Sequence, residues 1–141
     1  MKSHIPFALT FLIVSAPAFA MPQEIQAELL RLGGNLQTAS ANLDQTVEAA
    51  KVRTKQANAT KPSTADQRKI VEGLEGVKTA VQAMVDFMHV REAALRREDP
   101  GFDSHIGAFQ DEVKDLETQI ADIKNYRYFW PKRKGTGVHR H

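Results

Sequence analysis

The sequence predicts an all-α fold: an antiparallel, up-down-up three-helix bundle with a coiled-coil-like seam. Three observations point there. Phe102, Ile106, Phe109, Val113, Leu116, Ile120 and Ile123 follow one another in alternating four- and three-residue steps. That spacing lays side chains along one stripe of a helix that packs beside another. Two earlier stretches repeat the rhythm. They are joined by brief punctuated segments, Asn58 to Pro62 and Asp99-Pro100, with room for little more than reversing the chain.

Taken in order, residues 1–20 read as a cleaved signal peptide rather than part of the fold. Lys2 is a positive start, Phe7 to Val14 is an apolar run interrupted by Thr10, and Ala18-Phe19-Ala20 is a small-x-small cleavage pattern. The run is shorter than the roughly 20 residues a membrane span needs. The expected mature chain starts at Met21, in the bacterial periplasm or secreted medium. With no cysteine in the sequence, disulfides, thiolate metal sites and a lipidated cysteine anchor are excluded. Stability must come from packing.

The bundle domain is expected over residues 21–130. Its first helix spans about residues 23–57 on the stripe Ile25, Leu29, Leu32, Leu36, Ala39, Leu43, Val47 and Ala50. Gly33-Gly34 interrupts that stripe without shifting its phase, which favours a continuous, locally weak or kinked helix over a break. Helix two, about residues 64–97, opens with Ser63 as N-cap and an acidic residue at Asp66. It carries Ile70, Leu74, Val77, Val81, Met84, Met88 and Leu95, with Arg91 standing where an apolar residue belongs. Helix three, about residues 100–130, is expected to begin with Asp99 as cap and Pro100 in its first position, and to be stopped by Pro131. Antiparallel register then sets Gly33 level with Phe87 and Met88, and Gly73 and Gly76 level with Tyr126 and Ile123, so that small residues face large ones. Residues 131–141 form a basic tail expected to be disordered.

Charge divides unevenly. Residues 22–130 hold 14 Lys/Arg against 17 Asp/Glu, a net of −3, while Lys132, Arg133, Lys134 and Arg140 add four positive charges at the end. A basic body able to wrap nucleic acid is not expected.

Candidate chemistry is sparse. His89 and His105 are expected at the surface and too far apart along the bundle to share a zinc ion; His139 and His141 offer only a weak pair, so no metal is assigned. Met84 and Met88 fit core packing better than haem ligation, so no cofactor is assigned. Arg91 is expected to pair with Glu28 or Asp111, and Arg127 with Glu72 or Glu75, their stems covering apolar surface. Asn58-Ala59-Thr60 matches a glycosylation acceptor but lacks the acidic residue two positions earlier that bacterial acceptors favour. Residues 65–71, Ala-Asp-Gln-Arg-Lys-Ile-Val, faintly resemble the entry to helix two in all-helical chorismate mutases. That family's Arg-Glu pair is Arg68-Lys69 here, and Arg31, Lys51 and Arg53 stand at other intervals than its active-site cations. Catalysis is therefore not expected.

The most informative patch runs from Tyr126 through Tyr128, Phe129 and Trp130 to Lys132, Arg133 and Lys134. Aromatic rings beside cations suit a protein partner's hot spot or the headgroup layer of an anionic membrane; Tyr126 and Trp130 would also close the end of a bundle. The leading expectation is a non-enzymatic interaction or adaptor protein of the bacterial envelope, binding an envelope protein or itself. The alternative is a peripheral binder of anionic lipid or lipopolysaccharide, and a small-ligand carrier ranks behind both.

Overall fold

The computed structural model describes residues 22–132; the expected signal peptide and all of the tail beyond Lys132 lie outside them. Among the described residues the chain has no strand, and its regular structure is four helices: α1 (Gln23–Gln56), α2 (Thr64–Val90), α3 (Glu92–Glu98) and α4 (Phe102–Lys124).

α1 starts as the carbonyl of Pro22 accepts from the amides of Ile25 and Gln26. Its stripe of Ile25, Leu29, Leu32, Leu36, Leu43, Val47 and Ala50 is buried, and the helix passes through Gly33-Gly34 without a break. Packing of the apolar face outweighs the glycine cost, which is about 1 kcal/mol per residue. α1 ends in a paired reversal: Asn58 takes the left-handed conformation (φ 54°), and the amides of Asn58 and Ala59 return to the carbonyls of Lys55 and Thr54, the Schellman pattern. The Asn58 acceptor motif thus has a conformational role.

At the start of α2, the Ser63 hydroxyl accepts from the Asp66 amide at 3.1 Å. α2 is the central element, with α1 and α4 packed along it. Gln67 Nε2 donates to the Ile123 carbonyl at 2.7 Å, Lys78 meets Glu117 at 3.3 Å, and Gln110 meets His89 at 3.4 Å. The start of α2 therefore lies by the end of α4, and its end by the first half of α4. Arg53 of α1 likewise meets Asp66 of α2 beside their shared turn. Gly73 faces α1 rather than α4: a Cβ there would lie 3.0 Å from Leu43 Cδ1, while one on Gly76 would meet nothing. Gly33 is buried.

Two expected boundaries differ. Helix two does not run unbroken to residue 97; Arg91 (φ −106°, ψ 24°) separates α2 from α3. The bonds from Arg91 N to Phe87 O and from Leu95 N to Arg91 O persist across the break. This local unwinding leaves the Arg91 side chain in water and returns Leu95 to full burial. The last long helix spans Phe102–Lys124 rather than 100–130. It starts late because Asp99 and Gly101 form a buried turn, and it stops early because no apolar residue occupies the stripe between Ile123 and Trp130. Tyr126 (φ 61°) reverses the chain, with Tyr126 N bonded to Ile123 O and Arg127 N to Asp122 O, a second Schellman turn.

One continuous core joins all four helices, with Leu36, Ile70, Leu74, Met84, Met88, Leu95, Phe109, Leu116 and Ile123 among its most buried members.

Candidate functional site

After Tyr126 the chain folds back along α4 as a strap without regular secondary structure. Its anchor is Gln119, a buried polar residue on the core face of α4. The Gln119 carbonyl oxygen accepts from the Lys132 amide at 2.9 Å while its Nε2 donates to Asp115 at 2.6 Å. The strap carries every described member of the aromatic–basic patch; Arg133 and Lys134 lie outside the described residues. Trp130 is half-buried and packs on the core, closing part of the bundle. Phe129 is half-buried beside it. Tyr126 and Tyr128 remain exposed, by 63% and 42%, so their rings are free to touch another surface.

Cations come to these rings from three directions. Lys51 of α1 stands 5.8 Å from the Trp130 ring centre, Lys61 of the α1–α2 turn 5.9 Å from Phe129, and Lys132 4.2 Å from Tyr128. Ammonium groups over ring faces are attracted by the ring quadrupole. Lys132 also donates to the Tyr128 hydroxyl at 3.1 Å, and that hydrogen bond holds its ammonium above the usual lysine range. Beside this cluster a groove opens between Arg53, Lys61, Ser63, Asp66 and Lys69. Asp66 is buried there and accepts from Arg53 Nη2 at 2.7 Å and from its Nε at 3.1 Å. The Arg53 guanidinium, aided by the Ser63 hydroxyl, holds the Asp66 carboxyl below the usual carboxylate range. Asp66 is thus spent on Arg53, while Lys132 lies near Asp122 and Asp115, whose charges add to holding its ammonium up.

The pole is basic in formal charge as well. Residues 51–69 carry six Lys/Arg and a single acidic residue, and residues 122–132 add Lys124, Arg127 and Lys132 against Asp122. Lysines 51, 61 and 69 were absent from the sequence-derived site, although six cations within 19 residues are visible in the sequence. What it does not display is that α4's end returns to the same place. Gln119 left no such signal, since it stands beside the stripe position Ile120 and its burial comes from the returning strap.

The remaining expectations resolve as follows. His89 is exposed, but His105 is buried, its Nδ1 2.7 Å from Asp99 Oδ2, so it is no surface histidine. The reason is the tight Asp99–Gly101 turn, which brings the Asp99 carboxylate onto the core face of α4. His139 and His141 lie outside the described residues, and among those described no three metal-ligating side chains are grouped to hold an ion. Met84 and Met88 are core. Glu28 binds Arg31 of its own helix rather than Arg91, and Arg127 lies 3.9 Å from Asp122 while Glu75 meets Lys124. In both cases a neighbour on or just past the same helix, or a nearer cation, displaces the longer reach. Arg68-Lys69 stays on the exposed face of α2.

Comparison with protein-family models, with curated proteins and with solved structures finds no match to this chain.

Proposed function

We propose that this chain is a non-enzymatic interaction protein of the bacterial envelope: an up-down-up three-helix bundle, exported by its N-terminal segment, that presents its aromatic–basic pole to a negatively charged partner. One observation carries the reading. Lys51, Lys61 and Lys132 converge from α1, the first turn and the strap on Tyr128, Phe129 and Trp130. Tyr, Trp and cationic side chains gathered on an exposed end form a recognition surface. A carrier role draws less support, because Leu36, Met84, Met88 and Phe109 fill the space between helices.

The test is charge reversal at the pole, with Lys51, Lys61 and Lys132 all changed to Glu, followed by crosslinking in the cells that make the protein. The expected result is loss of the wild-type adduct with thermal unfolding little changed. Adducts that persist through the reversal would sink the reading.

A further inference from the structure

We infer that the surface this pole meets is a bilayer face rich in anionic lipid, which the bundle contacts end-on; this rests on the reading of the pole as the contact site. The geometry separates a plane from a protein groove. A groove is met by one helix face, whereas these cations come from every element that ends here. Lys51 is on α1, Lys61 in the turn, Lys69 on α2 and Lys132 in the strap past α4, while Lys124 and Arg127 beside them make ion pairs with Glu75 and Asp122. Cations at the ends of all three long helices can meet one plane of phosphate groups together.

The rings fit the same plane. Tyr126 and Tyr128 are exposed beside half-buried Phe129 and Trp130, and Tyr and Trp place an apolar body and a polar tip at headgroup depth. The far pole adds orientation: residues 86–103 hold three Arg against five Asp/Glu, and residues 22–31 hold Glu24 and Glu28 against Arg31. An anionic surface attracts one end and repels the other, so the long axis stands toward it. Among the described residues no helix is long and apolar enough to cross a membrane; the contact argued here is made from one side.

Trp130 is the chain's single tryptophan, so its emission reports the site. The protein, as its cells process it, is titrated with vesicles of phosphatidylcholine alone and with vesicles containing about one-third phosphatidylglycerol. Binding to the anionic vesicles only, with a blue shift of Trp130 and loss at high salt, is the expected result. Changing Lys51, Lys61 and Lys132 to Gln together should weaken that binding about 100-fold, from three charges at roughly 1 kcal/mol each. Changing exposed Arg91, Arg97 and Lys114 to Gln removes the same charge from the far half and should leave binding nearly unchanged. If the first triple variant shifts Trp130 emission without vesicles, Lys61→Gln with Lys69→Gln repeats the test, with about 30-fold loss expected.

Equal affinity for both vesicle types, or equal losses in the two triple variants, overturns end-on electrostatic docking. Absence of vesicle binding, while pole-dependent crosslinks to a protein persist, overturns the lipid assignment and leaves the contact site standing. Absence of both removes the two readings together.

Discussion

The two ends of this molecule solve the same problem in opposite ways. Each must reverse the chain between long helices. At one end, Leu95, Asp99, Phe102 and His105 are all buried: the Asp99 carboxylate takes the Gly101 amide at 2.9 Å with one oxygen and His105 at 2.7 Å with the other. The buried polar groups there are spent on each other, while Val90, Arg91 and Arg97 stay at the surface. At the other end, the turns after Gln56 and Lys124 close with backbone bonds, backed by the Arg53–Asp66 pair and the bond from the Lys132 amide to Gln119, and lysines and tyrosine rings remain at the surface. The sealed end turns on a buried polar pair, and the open end leaves cations and rings exposed.

The widest gap between the ends should appear on truncating an aromatic at each. Phe102→Ala removes a fully sheltered ring from the sealed end and should cost about 3–5 kcal/mol. Tyr128→Ala, at a largely exposed ring, should stay within about 0.5 kcal/mol. Urea unfolding of both variants checks this, and similar midpoints would erase the distinction. Next in size is His105→Ala. It leaves an Asp99 oxygen buried without its partner, at a cost of about 1–3 kcal/mol. His89→Ala, exposed and 3.4 Å from Gln110, serves as the control and should be near neutral.

How much of this could be read from the residues alone follows the range of the forces involved. The core stripes were legible, because burial imposes a period on every helix and Phe102 through Ile123 display it. The passage of α1 through Gly33-Gly34 was legible for the same reason, since a stripe that keeps phase is a stripe that packs. The Asp99–His105 pair was not, because a histidine at a stripe's edge reads as solvent-facing until a turn supplies a carboxylate. Helix three was extended to Trp130 because Pro131 is the first residue that bars continuation; Trp130 does reach the core, but from a strap running the other way. The tyrosines and Lys132 were found from composition, whereas Lys51 and Lys61 joined them only through the fold. Local patterns carry helices and faces; the meeting of distant segments needs tertiary structure.

The two Schellman turns of the open end invite a finer comparison. Asn58 and Tyr126 occupy equivalent left-handed positions, at φ 54° and 61°. Asparagine tolerates that conformation, while for a tyrosine the Cβ crowds the following carbonyl, costing on the order of 1–2 kcal/mol. Tyr126 is mostly exposed, so little packing offsets the strain. Tyr126→Gly should therefore raise stability by about 1 kcal/mol, and Asn58→Gly by only a few tenths. Thermal melts decide it; a destabilised Tyr126→Gly would mean that the exposed ring makes contacts worth more than the strain. If the glycine variant is more stable yet weaker on anionic vesicles, the strained tyrosine is retained for binding.

The smallest expected difference concerns acid, and its sign follows from Asp66 and Asp103. Both carboxyls are held below the usual carboxylate range by arginine, Asp66 by Arg53 and Asp103 by Arg96. A folded-state value below the unfolded one means that the unfolded chain binds protons first as the pH drops. Each pair therefore stabilises the fold above about pH 4, and that contribution fades as pH falls further, toward the folded value. Asp66 is buried and Asp103 exposed, and water screens an exposed pair strongly. Asp66→Asn should therefore flatten the acid limb of the stability curve more than Asp103→Asn does, with each variant's deficit at pH 6 shrinking by pH 3. Urea midpoints at those two values give the measurement. A deficit that stays constant with pH would mean that Asp66 acts through the shape of its hydrogen bonds alone, and that Arg53 contributes no charge preference to the open end.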